Sequence, residues 1–164
     1  MTTPLPPPIG TAVDLECAWL SGDPAVTAYL PGGVLPWMRT RAEGVKVAEL
    51  RLERTEERRE ANGRSEIIHQ VILRVSWPTA NAASSSADDQ AYLHGACTAL
   101  RARIRGVPGD HTHGGAFASA GDTADGNARG IDVTYEDPLR TPTEGNPVLL
   151  AVIRYGLTEN LLTA

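Results

Sequence analysis

Between Arg64 and Gly106 a period-two run stands directly before a helical one, and this juxtaposition limits the fold more than any other feature of the chain. From Ile67 the odd positions read Ile67, His69, Val71, Leu73, Val75 and Trp77, while the even positions mix Ile68 and Ile72 with Gln70, Arg74 and Ser76. Such alternation in β-branched residues predicts a half-buried strand, and Pro78, with no amide hydrogen, ends it. A loop of Ala, Ser and Asn follows, with Ser86 placed to cap a helix whose first turn holds Asp88 and Asp89. Leu93, Ala96, Cys97, Leu100 and Ile104 then recur on one helical face, Arg101, Arg103 and Arg105 crowd the last turn, and Gly106 with Pro108 forms the stop. One apolar stripe needs one sheet to lie on, and the preceding strand is the natural partner.

The flanks extend this unit into a sheet. Val45 to Trp77 reads as one long hairpin with a charged, exposed far end. Arg51 to Glu60 holds four arginines and four glutamates, and Asn62-Gly63 is a strong turn signal. A charged helix over Glu49 to Glu60 is the alternative, because Glu and Arg are good helix formers. Val45 and Val47 precede Leu50 and Leu52, and that change of parity predicts a bulge between them. Ile131, Val133 and Tyr135 form another half-buried alternation. Val148 to Leu157 is apolar at both parities, which predicts a strand in the middle of the sheet.

Ahead of the hairpin, Val13, Leu15, Ala18, Trp19 and Leu20 predict a short amphipathic helix. Asp23 and Pro24 restart it as N-cap and first residue, through Val26, Tyr29 and Leu30. This two-piece helix is expected to pack on the sheet edge. Residues 1–10, with Pro4, Pro6, Pro7 and Pro8, read as an extended N-terminus, and residues 11–164 as a single domain. The Gly- and Asp-rich stretch Gly109 to Gly130 reads as a long loop, with a possible strand around Phe117. The fold class expected is α+β: a mostly antiparallel sheet with a long hairpin, an N-terminal helix and one central helix.

A net charge of −5 excludes the clustered cationic surface of general nucleic-acid or anionic-membrane binders. No stretch approaches the roughly 20 apolar residues of a membrane-spanning helix, and no signal-peptide pattern opens the chain, so cytoplasmic synthesis is expected. Lys46 is the single lysine, a bias of arginine over lysine best explained by high-GC coding. Cys17 and Cys97 lie in apolar helical patterns and read as buried thiols rather than a disulfide.

Asp110, His111 and His113, within Gly-Asp-His-Thr-His-Gly-Gly, form the one cluster with the look of a site. Two imidazoles beside a carboxylate can hold a transition metal, but three or four ligands are needed, and neither His69 nor His94 stands at a zinc-motif spacing. No nucleophile elbow, phosphate loop or regular calcium loop occurs. Neither an enzyme nor a cofactor is expected, and no metal site is assigned. The interleaved charges instead point to partner contacts: Arg51, Arg54, Glu56, Arg58 and Arg59 on the hairpin, with Trp37 as an aromatic anchor.

Taken together, the leading helix, the hairpin strand HQVILRVSWP (69–78), the helix DDQAYLHGACTALRARIRG (88–106), the strand GIDVTYEDP (130–138) and the closing strand PVLLAVIRYGLT (147–158) resemble the tail terminator proteins of long-tailed bacteriophages and related tail-like particles. The resemblance is one of order and size, since that family carries no catalytic motif. It implies a structural virion protein of the tail or neck, assembled in the host cytoplasm. Six copies would form a ring that caps the tail tube, stops its polymerisation and offers a joint to the head-tail connector or stopper, with DNA only passing through the channel. In that picture Arg54, Arg58 and Arg59 meet acidic groups of a neighbouring subunit. The alternatives are another neck or tail component, such as a connector or tube subunit, and a metal-dependent enzyme using Asp110, His111 and His113.

Overall fold

The computed structural model describes residues 8–37, 46–59, 64–78, 87–106, 111–121, 130–136 and 148–162. They build an α+β fold in which three helices lie against a curled, mostly antiparallel sheet of six strands. In chain order these are α1 (Pro8–Ser21), α2 (Pro24–Tyr29), β1 (Val34–Pro36), β2 (Val47–Arg59), β3 (Arg64–Pro78), α3 (Ala87–Arg105), β4 (Ser119–Ala120), β5 (Asp132–Glu136) and β6 (Val148–Leu162). The sheet order is β1-β2-β3-β6-β4, and β5 pairs the same edge of β6 as β4, further toward its start. β6 is therefore hydrogen-bonded on both sides, as its two apolar parities require. β1 was not foreseen; it runs parallel to β2, the sole parallel pairing among the described residues.

The helices cover one face. α1 packs on β1 and β2, α3 on β3 and β6, and α2 on α3. Leu93, Ala96, Cys97, Leu100 and Ile104 are all buried, facing Leu50, Val71, Leu73, Val75, Ala151, Ile153 and Leu157 across a continuous core. Burying a leucine or isoleucine of this stripe contributes about 1.5–3 kcal/mol. Gly95 is what lets α2 approach: a Cβ there would lie 2.7 Å from the Tyr29 ring. Gly106, at φ +77°, ends α3 by donating to the carbonyls of Ala102 and Arg103. Asp23 caps α2 by accepting from the Ala25 amide at 3.0 Å, with Pro24 in the first turn.

Several expectations are corrected. α1 starts at Pro8, inside the stretch read as extended, because proline fits the first turn of a helix. Its buried stripe is Ala12, Glu16, Cys17 and Leu20, whereas Leu15 is 41 % exposed and Ala18 is exposed too. Phe117 belongs to a turn, and β4 begins two residues later. Ile131, just before β5, and Val133 within it are half-buried beside the core, but Tyr135 is exposed. The hairpin is a hairpin and not a charged helix. Its bulge, however, lies between Leu52 and Arg54. Val47 to Leu50 need none, since both faces of β2 are buried there.

The turn residues Asn62 and Gly63, the cap Ser86, Asp110, and the loop residues 122–129 lie outside the described residues, as does the N-terminal segment 1–7.

Candidate interaction surface

Residues facing the helices and residues facing away alternate along every long strand, and the bulge at Glu53 reverses that alternation on β2. Before it, Val47, Glu49 and Arg51 oppose Ser76, Arg74 and Ile72 on the face without helices. After it, Arg54, Glu56 and Arg58 oppose Gln70, Ile68 and Glu66 on the same face. The extra residue thus keeps the charges together. β1 continues the arrangement, since Leu35 pairs with Glu49 and Trp37 follows in phase with Arg51. Five of the six residues singled out in the sequence, Trp37, Arg51, Arg54, Glu56 and Arg58, therefore share one surface. Arg59, opposite Ser65, belongs to the other face.

Trp37 lies half-buried in the turn that follows β1, with the guanidinium of Arg74 4.0 Å and that of Arg51 4.9 Å from its ring centre. Arg74 also donates to Glu49 at 2.9 Å. Stacked arginines hold the indole in a fixed orientation. Further along, Arg58 donates to Glu56 at 3.3 Å, Arg54 stands 3.8 Å from the same carboxylate, and Arg154 stands 3.8 Å from Glu53. Side chains so exposed gain only about 0–1 kcal/mol from each pair.

The face is balanced in sign. Arg51, Arg54, Arg58, Arg74 and Arg154 stand against Glu49, Glu53, Glu56, Glu66, Asp132 and Glu136. Five cations facing six carboxylates, the count among the described residues, would not hold a phosphate backbone, which needs a clear cationic excess. Matched charges suit a protein surface of similar mixed character.

Beyond the bulge β2 loses its burial as well. On β2 residues 47–50 are buried, and none from Arg51 to Arg59 is. The ends of β2, β3 and β6 form a three-stranded blade in which His69, itself buried, is held between Thr55 (Nδ1, 3.0 Å) and Glu159 (Nε2, 2.9 Å).

The histidine cluster resolves differently from its sequence spacing. His111 is exposed, and its carbonyl accepts from the Ala120 amide at 2.8 Å. His113, at φ +50°, turns inward and is 2 % exposed. Its Nε2–H donates to the Ile104 carbonyl at 2.7 Å, and its Nδ1 meets Glu16 Oε2 at 2.6 Å. The other oxygen of Glu16 accepts from the Tyr155 hydroxyl at 2.7 Å. Trp19 stacks on the imidazole, Phe117 meets it edge-on, and Arg103 lies 3.5 Å over the Trp19 ring. Burial first, and then the negative charge of Glu16, push the Tyr155 hydroxyl well above its ordinary pKa.

With both ring nitrogens engaged inside a sealed core, His113 has no lone pair for a metal. Among the described residues no group of three or more His, Cys, Asp or Glu stands together as a metal site would need. The network instead joins α1, the end of α3, the loop after it and β6. Glu16 and Tyr155 were missed in the sequence. The available signal was the spacing Ala12-Glu16-Leu20, which puts a carboxylate in a buried row and so demands partners elsewhere. Both cysteines are buried and neither forms a disulfide, and burial pushes the Cys97 thiol up to about 11.

No helix among the described residues is long and apolar enough to cross a membrane. Neither the family models nor the curated proteins contain a match to this chain.

Proposed function

We propose that this chain is a structural ring subunit, a tail terminator of a long-tailed bacteriophage or tail-like particle. It would cap the tail tube, stop its growth and present a joint to the head-tail connector. One observation carries the reading. The face without helices holds an indole against two arginines and a sign-balanced set of charges, and it runs on into a blade whose β2 strand is no longer buried. Such a surface suits repeated contact with like surfaces and is poorly suited to binding a polyanion. The sealed Glu16–His113–Tyr155 network supports the same reading, because the histidine that the sequence offered as a metal ligand is spent inside the core. DNA would cross the ring's channel without being held, consistent with the acidic net charge.

The test is the mass of the purified chain under native conditions over a range of concentrations, with negative-stain imaging and addition to a growing tail tube. A closed ring of about six subunits that arrests tube growth is the expected result. A chain that stays monomeric and leaves tube growth unchanged overturns the proposal.

A further inference from the structure

We infer that copies of this chain join edge to edge, with the outer edge of β2 in one copy pairing with the outer edge of β6 in the next, as a parallel strand pair. The inference rests on the ring reading above and specifies its contact.

Among the described residues the blade has two open edges. β1 covers β2 only opposite Ala48, Glu49 and Leu50, with one further bond from the Trp37 amide to the Leu50 carbonyl at 2.8 Å. Past that point, from Leu52 to Glu57, β2 pairs with β3 alone among the described residues. On the far side, β4 covers β6 opposite Leu157 and Thr158, and from Glu159 to Leu162 β6 pairs with β3 alone among the described residues.

Backbone direction identifies the groups involved. The Ala48 amide and the Leu50 carbonyl both point to β1. Antiparallel pairing alternates, and the bulge adds one residue, so Thr55 and Glu57 turn their amides and carbonyls outward. On β6 the carbonyls of Gly156 and Thr158 accept from the amides of Gly121 and Ala118, on the side away from β3. By the same alternation Asn160 and Leu162 point outward there. Each edge thus offers a short ladder.

The occupant follows from the geometry. β2 and β6 both run antiparallel to β3, hence parallel to one another, and they lie on opposite sides of it. Repeating the blade by rotation brings β6 of one copy beside β2 of the next in the same direction. Two different edges in contact make a heterologous interface, which closes into a ring when the rotation closes. The bulge and the interleaved charges keep unrelated strands from adding, and so reserve the edge for a matching one.

Backbone amide exchange tests this, comparing the assembled wild type with Glu57→Pro, whose proline removes an outward amide and leaves both the β2–β3 ladder and the Thr55–His69 bond intact. The expected result is that Glu57→Pro keeps its melting transition but falls to monomer mass, and that in the wild-type assembly the amides of Thr55, Asn160 and Leu162 exchange about tenfold or more slowly than in that monomer. A ring whose edge amides exchange as fast as the monomer's overturns the inference and leaves the terminator reading standing. An unaltered assembly of Glu57→Pro overturns it too. Should Glu57→Pro fail to fold, dilution-dissociated wild type serves as the monomer reference. A wild type that never assembles overturns the inference outright, and tube growth then decides the terminator reading separately.

Discussion

The helix-covered core and the strand blade differ in what they do with a histidine and a carboxylate. In the helix-covered core, His113 and Glu16 are sealed and each has a second partner, in Ile104 and Tyr155. In the blade, His69 and Glu159 make the same kind of pair, but the carboxylate side chain is 19 % exposed. In the core the pair replaces water entirely, so its cost of formation is high and its loss leaves buried groups stranded. In the blade water remains a partner, so the pair orients the strands without deciding whether they fold. The difference teaches that one sheet carries two kinds of polar contact, one that specifies the fold and one that leaves the surface adaptable.

The sharpest way to break the comparison is to put a charge in the core. Leu100→Asp is expected to cost more than about 5 kcal/mol and leave no cooperative melt; a folded, soluble variant would show that the α3 stripe is misassigned. Next, Glu16→Ala strands His113 and Tyr155 and is expected to lower stability by about 3–5 kcal/mol in urea titration. Glu159→Ala is expected to lower it by about 1 kcal/mol, and equal losses would erase the contrast.

A third effect depends on pH. Burial raises the Cys97 thiol from 9.0 to about 11. Below pH 9 the thiol is neutral whether folded or unfolded. As pH rises from 9 towards 11, only the unfolded chain loses the proton, so stability falls, by about 1–3 kcal/mol across that window. Tyr155 pushes in the same direction. The urea midpoint is expected to drop above pH 9, and Cys97→Ala is expected to flatten the drop.

The smallest effect on stability belongs to the blade. Reversing Arg54, Arg58 and Arg59 to glutamate is expected to shift the melt by no more than about 1 kcal/mol. Assembly and its salt dependence are expected to change strongly. Unchanged assembly would remove these arginines from any interface.

Much of this was legible in sequence because it is periodic. The α3 stripe, the hairpin, the two-piece helix with its Asp23 cap and the central position of β6 all follow from spacing and local chemistry. What was not legible depends on residues far apart in the chain. Glu16 and Tyr155 meet across the core, and nothing local to either marks the other. Likewise, His113 stands two residues from His111 and faces the opposite way, because His113 itself takes a left-handed backbone conformation. The bulge was misplaced because burial on both faces of β2 imitates a change of parity. The shared surface of Trp37, Arg51, Arg54, Glu56 and Arg58 emerged only once the bulge was located.

That single extra residue at Glu53 also governs how the tip of the hairpin can change over generations. Insertions or deletions of two residues in β2 beyond it leave every side chain on its own face, whereas a change of one turns the whole tip inside out. The blade can therefore lengthen, shorten or exchange its charges in even steps while the helix-covered core stays as it is. A lineage could retune which neighbours it accepts without touching the part of the molecule that makes it fold.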